Sequence, residues 1–580
     1  MEKTWRDLQL SANMPLDLTA TELDEKRVRF DLKWDEMAVP APVFTIGWSL
    51  PLIDIQYEWY PNCRLDRSLH VDWYAPVKSK ISSSAPVYCF YNAAARNRFT
   101  MALSDVFTQL SCSLGVREED GMLLCRVEIP LDATGVTHEY AVTLYRDCDD
   151  VSFAEALRRV AAWWEEGCGL TPMPVPEEAR EAMYSTWYSY HQATVAEDIE
   201  AECARAAALG FRTVIVDDGW QTGDGQRGYA FCGDWEACPE KIPDMRAHVE
   251  KIHALGMKYM LWYSVPFVGY QSKHWDAFKD RLLCRLDSMG AGVLDPRYPD
   301  VRAYLVDTYL RALKDWNLDG FKLDFIDSFN PGRGPLPAPT PGMDYALVED
   351  AVNRLMTDGM KALRAVRPDI LIEYRQSYIG PAMRTFGNMF RVGDCPADPL
   401  SNRVGTVDLR LLSGDTAVHS DMLMWHRDDR VEAAARQILS VIFAVPQISV
   451  RLDEMTPEHK EMLVFWLGFM RTHRELLRAP LEVKAPNNLY PVVTARKDGE
   501  AVVALYDGGR LVDLPEGART IYLLNAAPET RVALTAAAPR RFHAVISDCK
   551  GRPVGEREID LSTIAPLDIP ESGLAVLTAL

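Results

Sequence analysis

Over the first 165 residues apolar and polar positions alternate in short runs, as in Arg27-Val-Arg-Phe-Asp-Leu-Lys-Trp34, Ala85-Pro-Val-Tyr-Cys-Phe-Tyr91 and Glu139-Tyr-Ala-Val-Thr-Leu-Tyr145. A period of two places one face of each run against a core, and repeated short strands divided by turn residues predict a β-sandwich. A helical stretch from Ser152 to Glu166 leads into Leu170-Thr-Pro-Met-Pro-Val-Pro-Glu-Glu, where alternating prolines favour extended backbone and a linker. The pattern then changes to alternating strand and helix signals. Strands are predicted over Tyr184 to Tyr190, Thr213 to Asp217, Lys258 to Tyr263, Gly320 to Ile326, Ile370 to Arg375, Met389 to Val392, Val418 to Met424 and Gln447 to Val450. Helices are predicted over Glu197 to Leu209, His248 to Leu255, Tyr304 to Trp316, Leu347 to Val366, Val431 to Ile442 and Pro457 to Leu477. Such an alternation implies a parallel sheet with crossover helices, and eight strands match a (β/α)₈ barrel. Short strands return in the tail, as in Ala501-Val-Val-Ala-Leu-Tyr506. The expected architecture is multidomain α/β: an N-terminal β-sandwich (1–172), a central (β/α)₈ TIM barrel (173–480) and a small C-terminal antiparallel β domain (481–580).

The balance of 63 basic against 83 acidic residues gives a net charge of −20, which repels phosphate backbones and anionic lipid surfaces. Nucleic acid and membrane are therefore not expected partners. The twelve cysteines are scattered singly, without zinc-site spacing or the density of a disulfide scaffold, and suit a reducing compartment. The start of the sequence lacks a signal-like apolar core and no apolar run of about 18 residues occurs, so a cytoplasmic, soluble protein is expected.

The βα loops at the C-terminal ends of barrel strands build the functional face, so polar residues there carry most information. Strand four reads Leu318-Asp-Gly-Phe-Lys-Leu-Asp-Phe-Ile-Asp-Ser328. Alternation aims Lys322 and Asp324 at one spot and Phe321, Leu323 and Phe325 away from it; Asp327 falls on the wrong side. A reacting carboxylate and a structural ion pair are both open there. Strand two ends in Asp217 and Asp218, suited to two neighbouring hydroxyls or to helix capping. Trp220, Trp235 and Trp262 offer faces for a sugar ring or are core. Strand six supplies Arg391 and Asp394, with Asp398 as a rival acid/base four residues on. Two carboxylates across one pocket are the minimum for splitting a glycosidic bond; Lys322 would keep Asp324 ionised and an acidic or apolar setting would raise the pKa of Asp394. His419, Asp421, Trp425 and His426 cluster around strand seven, and the Pro/Gly-rich Asn330 to Gly342 follows strand four where an active-site loop would lie.

The succession Val-Asp-Asp-Gly-Trp (216 to 220), Gly-Asp-Trp (233 to 235), Phe-Lys-Leu-Asp (321 to 324) and Arg-Val-Gly-Asp (391 to 394), on a barrel between two β domains, resembles the α-galactosidases of glycoside hydrolase family 36. The resemblance implies a retaining exo-α-glycosidase working by double displacement without metal or cofactor. It makes Asp324 the nucleophile and Asp394 the general acid/base. It gives Asp217 and Asp218 the 4- and 6-hydroxyls of galactose, Lys322 a ring hydroxyl, and Arg391 the 2- or 3-hydroxyl. The chain departs from the family at the end of strand five, where Ile372-Glu-Tyr-Arg-Gln-Ser-Tyr378 replaces a Ser-Cys and Gly-rich run beside the sugar's 2-position. Arg375 and Gln376 suit a hydroxyl, an acetamido group or an anionic substituent there, or Arg375 bridges an active-site aspartate. The expected substrate is a small oligosaccharide or α-glycoside, most simply an α-galactoside. The alternatives are an α-N-acetylgalactosaminidase or another α-glycosidase, a metal-dependent lyase or hydrolase, and a non-catalytic carbohydrate-binding or regulatory protein. A homo-oligomer is open.

Overall fold

The structure is a computed structural model and describes residues 1–34, 42–131, 138–484 and 489–580. Two six-stranded antiparallel sheets form the N-terminal sandwich. The strand Arg27–Lys33 turns Val28, Phe30 and Leu32 inward, where they meet Phe44, Ile46, Leu123, Val127 and Leu144 in one core. Helix Phe153–Ala162, capped by the Ser152 hydroxyl, leaves this domain for the barrel. The proline-rich segment after it lies against the barrel: the Met173 amide donates to the Arg384 carbonyl, and Asn388 Nδ2 to the Pro174 carbonyl.

Eight parallel strands form the barrel: β1 (Met183–Ser185), β2 (Thr213–Val216), β3 (Lys258–Ser264), β4 (Gly320–Asp324), β5 (Leu371–Arg375), β6 (Met389–Arg391), β7 (Ala417–His419) and β8 (Gln447–Ile448). Neighbours pair in sequence order, β8 pairs with β1, and the bridges His419 with Val445 and Leu423 with Ile448 link the β7 and β8 ends of the sheet. Met183, Ile215, Met260, Leu371, Met389 and Ala417 pack together with Ala179 in a separate apolar cluster. The crossover helices are α1 (Ala196–Ala208), α2 (Met245–Ala254), α3 (Pro299–Trp316), α4 (Val348–Val366), α5 (Pro399–Leu412), α6 (Val431–Ser440) and α7 (Pro457–Thr472). The sequence pattern misses α5, because buried Asn402, Thr406 and Asp408 interrupt its apolar face. It also runs the first strand on to Tyr190, where Trp187–Tyr190 is a helical turn. A small antiparallel sheet (Phe267–Gly269, Leu282–Leu286, Ala291–Leu294) is inserted between β3 and β4.

The C-terminal domain stacks a seven-stranded and a three-stranded sheet, mostly antiparallel with one parallel pair in each. All three domains meet at Asp408 of α5. Its Oδ1 accepts from Trp59 Nε1 (2.9 Å), Arg67 Nη2 (2.9 Å) and Tyr490 OH (2.5 Å), and its Oδ2 from Arg67 Nη2 (2.8 Å). No helix among the described residues is long and apolar enough to cross a membrane.

Candidate active site

A cavity of about 1040 Å³ opens at the C-terminal ends of the barrel strands. Asp217, Asp218, Trp262, Lys322, Asp324, Arg375, Gln376, Arg391 and Asp394 all line it. Strand register accounts for much of this: Trp262 pairs with Lys322 and Ser264 with Asp324 between β3 and β4, and Arg375 pairs with Arg391 between β5 and β6. Residues so paired in a parallel sheet point the same way.

Asp324 is held at both oxygens. Oδ1 accepts from Arg375 Nε (2.6 Å), Tyr378 OH (3.0 Å) and the Phe325 amide (2.8 Å), whereas among the described residues Oδ2 accepts only from Trp262 Nε1 (3.1 Å). Burial alone would raise this carboxyl's pKa; Arg375, then Lys322 and Arg391, outweigh it and hold the group well below the usual carboxylate range. Lys322 therefore acts on Asp324 only through space. Its own partner is Asp217, with Nζ 2.6 Å from Oδ2, and Arg375 takes the direct role that the sequence assigns to Lys322. Asp218 accepts from Gln192 and Gln221, both at 2.7 Å, and burial pushes its pKa up.

Arg391 lies beneath the cavity, fully buried, with Nη1 on Asp421, Nη2 3.0 Å from Asp394 Oδ1, and Nε 3.6 Å from Glu373. Asp394 itself is open to the cavity, its side chain 60% exposed. The protein around it pushes its pKa up, but Arg391 and Lys322 prevail and lower it. That corrects the expectation of a raised pKa, because two cations, and not an apolar or acidic wall, stand beside it.

Several residues fall elsewhere than the sequence suggests. Trp220 and Trp235 do not line the cavity. Gly219 adopts φ +107°, a Cβ there would lie 2.6 Å from the Gln192 backbone, and the turn sends Trp220 into the core, with Nε1 on the Trp262 carbonyl (3.0 Å) and its ring against Trp235. Trp187 and Tyr229 join Trp262 as aromatic lining instead. Asp398 caps α5, accepting from the amides of Leu400 and Ser401 (both 3.0 Å), and does not line the cavity. His419 is buried inside the barrel, its Nε2 on the Ala179 carbonyl, with a pKa lowered to about 4 by burial. Trp425 and His426 border a separate, smaller cavity. Residues 330–342 are absent from the lining of the main cavity; Arg297 Nη2 holds the Pro337 carbonyl and Tyr298 OH meets Thr340.

Two local features bring unexpected residues in. Phe325 has φ +65°, so the alternation breaks immediately after Asp324, and Phe325 and Asp327 both line the cavity. Asn62 to Asp66 of the N-terminal domain form another part of the wall. Arg67, fixed on Asp408, donates through Nη1 to the Arg64 carbonyl (2.6 Å), and Gln376 Nε2 meets the Pro61 carbonyl at 3.4 Å. Among the described residues no group of three or more His, Cys, Asp or Glu side chains is placed to hold a metal ion.

Carboxylates, cations and aromatics converge at the C-terminal mouth of the barrel, equipped for proton transfer and nucleophilic attack on a polar ligand. Residues 174–330 match the Melibiase family model. A galactosaminidase of Flavonifractor plautii that acts on A type blood alpha-D-galactosamine is 28% identical over 185 residues, 28% of this chain and 16% of that one. Alpha-galactosidase Mel36A of Lactobacillus acidophilus is 24% identical over 210 residues, 34% of this chain and 27% of that one. The matches thus span about a quarter or less of those relatives' own lengths. In fold, a family 36 alpha-galactosidase of Geobacillus stearothermophilus in complex with raffinose superposes with a TM-score of 0.67 at 14% identity, over 99% of this chain and 81% of that one. An alpha-galactosidase of Lactobacillus brevis gives 0.66 at 15% identity, over 99% and 80%. Residues 174–330 thus resemble the Melibiase family, and the chain as a whole shares the fold of family 36 alpha-galactosidases.

Proposed function

We propose that the protein is a retaining exo-α-glycosidase that removes terminal α-linked sugars of galactose configuration. The observation that carries this reading is Asp324: a buried carboxylate with one oxygen fixed by three donors and the other meeting Trp262 Nε1, facing the same cavity as Asp394. In the first step Asp324 Oδ2 bonds to the anomeric carbon, the bond to the leaving oxygen breaks, and Asp394 gives that oxygen its proton. In the second step Asp394 takes a proton from water as the water's oxygen displaces Asp324. Asp217 and Asp218 would hold the axial 4-hydroxyl and the 6-hydroxyl, which lie on one edge of a galactose-configured ring. Arg375, by stabilising the carboxylate, favours its departure in the second step.

The two carboxyls should separate by leaving group. Asp394→Ala is expected to reduce hydrolysis of an α-linked saccharide on the order of 10³-fold, yet to reduce that of a dinitrophenyl α-galactoside far less, because an acidic phenol needs no proton. Equal losses on both substrates would remove Asp394 from the acid role. Arg375 should also show in the pH profile. With Asp324 held low, kcat/KM is expected not to fall on the acid side until well below pH ~4, the ordinary carboxylate value. Without the cation the carboxyl protonates at higher pH, so Arg375→Leu should move the acid limb upward and Arg375→Lys restore part of it. An unmoved limb would show that Arg375 does not set the charge of Asp324.

A further inference from the structure

The cavity wall beside the candidate nucleophile is built by Arg375, Gln376, Asp327 and Phe325. Arg375 is fixed at Nε by Asp324 Oδ1 and at Nη1 by the Gln376 carbonyl (3.0 Å), and its guanidinium carbon lies 5.0 Å from the Phe325 ring centre and 5.4 Å from that of Tyr378. Nη2 makes no hydrogen bond with any described residue. Among the described residues Asp327 Oδ2 accepts only from Ser377 Oγ (3.2 Å), and its buried Oδ1 has no partner. Burial pushes this carboxyl up, and Arg375 and Lys80 oppose the shift. One free donor, one under-used acceptor and an aromatic ring that also packs on Phe267 and Tyr229 thus stand together on separate side chains.

The ring order of a pyranose says which part of the substrate meets them. The anomeric carbon at Asp324 has two ring neighbours: the ring oxygen, which leads to the C6 edge, and C2. With the C4 and C6 edge on the β2 aspartates, the C2 edge falls on the opposite side of β4, where β5 and the loop after β4 stand. Resting on the glycosidase reading above, we propose that the substrate carries an acetamido group at position 2, and that Arg375, Asp327 and Phe325 select it. The amide carbonyl accepts from Arg375 Nη2, the amide N–H donates to Asp327 Oδ2, and the methyl lies on the Phe325 ring. A plain hydroxyl leaves the aromatic face wet, and an ammonium at this position meets the guanidinium.

Hydrolysis of three matched nitrophenyl α-glycosides, of galactose, 2-acetamido-2-deoxygalactose and 2-amino-2-deoxygalactose, tests this. The expected result is a kcat/KM for the acetamido substrate at least about tenfold above the other two, the scale of discrimination when a buried polar group loses its partner. Asp327→Ala and, separately, Phe325→Ala should lower the acetamido-to-hydroxyl ratio by about tenfold, read as a ratio so that a general loss of activity cancels. A preference for the hydroxyl or amino substrate, or a ratio unchanged in both variants, overturns the proposal while leaving the glycosidase reading intact. Hydrolysis of none of the three overturns the glycosidase reading itself.

Discussion

Asp324→Ala is expected to lower turnover of an aryl α-galactoside by a factor on the order of 10⁴, with the far-ultraviolet spectrum of the fold preserved. A large loss is expected on the proposed mechanism because Asp324 supplies the attacking oxygen, while Asp394 is engaged by Arg391 and Asp217 is tied to Lys322. Asp324→Asn should be comparably inactive, since it keeps the size of the side chain but removes the anion. Added azide should restore turnover of the alanine variant and give the β-linked glycosyl azide, because a small anion enters from the side Asp324 has vacated. Undiminished activity in the alanine variant would sink the assignment, and an α-linked azide product would sink the retaining mechanism.

The second large effect concerns stability. Asp408→Ala is expected to cost about 3–5 kcal/mol, the range found when one member of a buried ion pair is removed and the other charge is left behind. Arg67 and Asp408 are both almost wholly buried, and the carboxylate also takes the Trp59 and Tyr490 donors. A three-domain chain need not unfold in one step, so the readout is a calorimetric trace: the variant should show an early transition absent from the wild type. Asp408→Asn keeps an acceptor for Trp59 and Tyr490 and should lose less. Removing Arg67 as well should cost much less than the sum of the single losses, because the stranded cation disappears with it. A trace identical to the wild type would show that the junction contributes nothing.

The barrel was legible because its strands are short apolar runs, most of them flanked by helical patterns, and all eight lie where those runs lie. Candidate residues at strand ends followed from the same register. Residues in turns did not follow, since their direction depends on single backbone angles. Phe325 and Asp327 are assigned away from the cavity by strict alternation, and a left-handed residue after Asp324 reverses that. Trp220 belongs to a motif yet turns inward because of Gly219. The ion pairs were half legible: the sequence holds Arg375 and Lys322 as possible partners of Asp324, but choosing between them needs the positions of β2 and β5. Asp408 carries no local signal at all, as its partners lie 349, 341 and 82 residues away.

Asn62 to Asp66 make the sandwich a part-owner of the pocket. A barrel grafted onto a foreign N-terminal domain would keep Asp324 and Asp394 but lose the stretch of wall that Asn62 to Asp66 supply and the Pro61 carbonyl that Gln376 meets. The shape of the pocket can therefore change through substitutions in a domain that holds neither Asp324 nor Asp394.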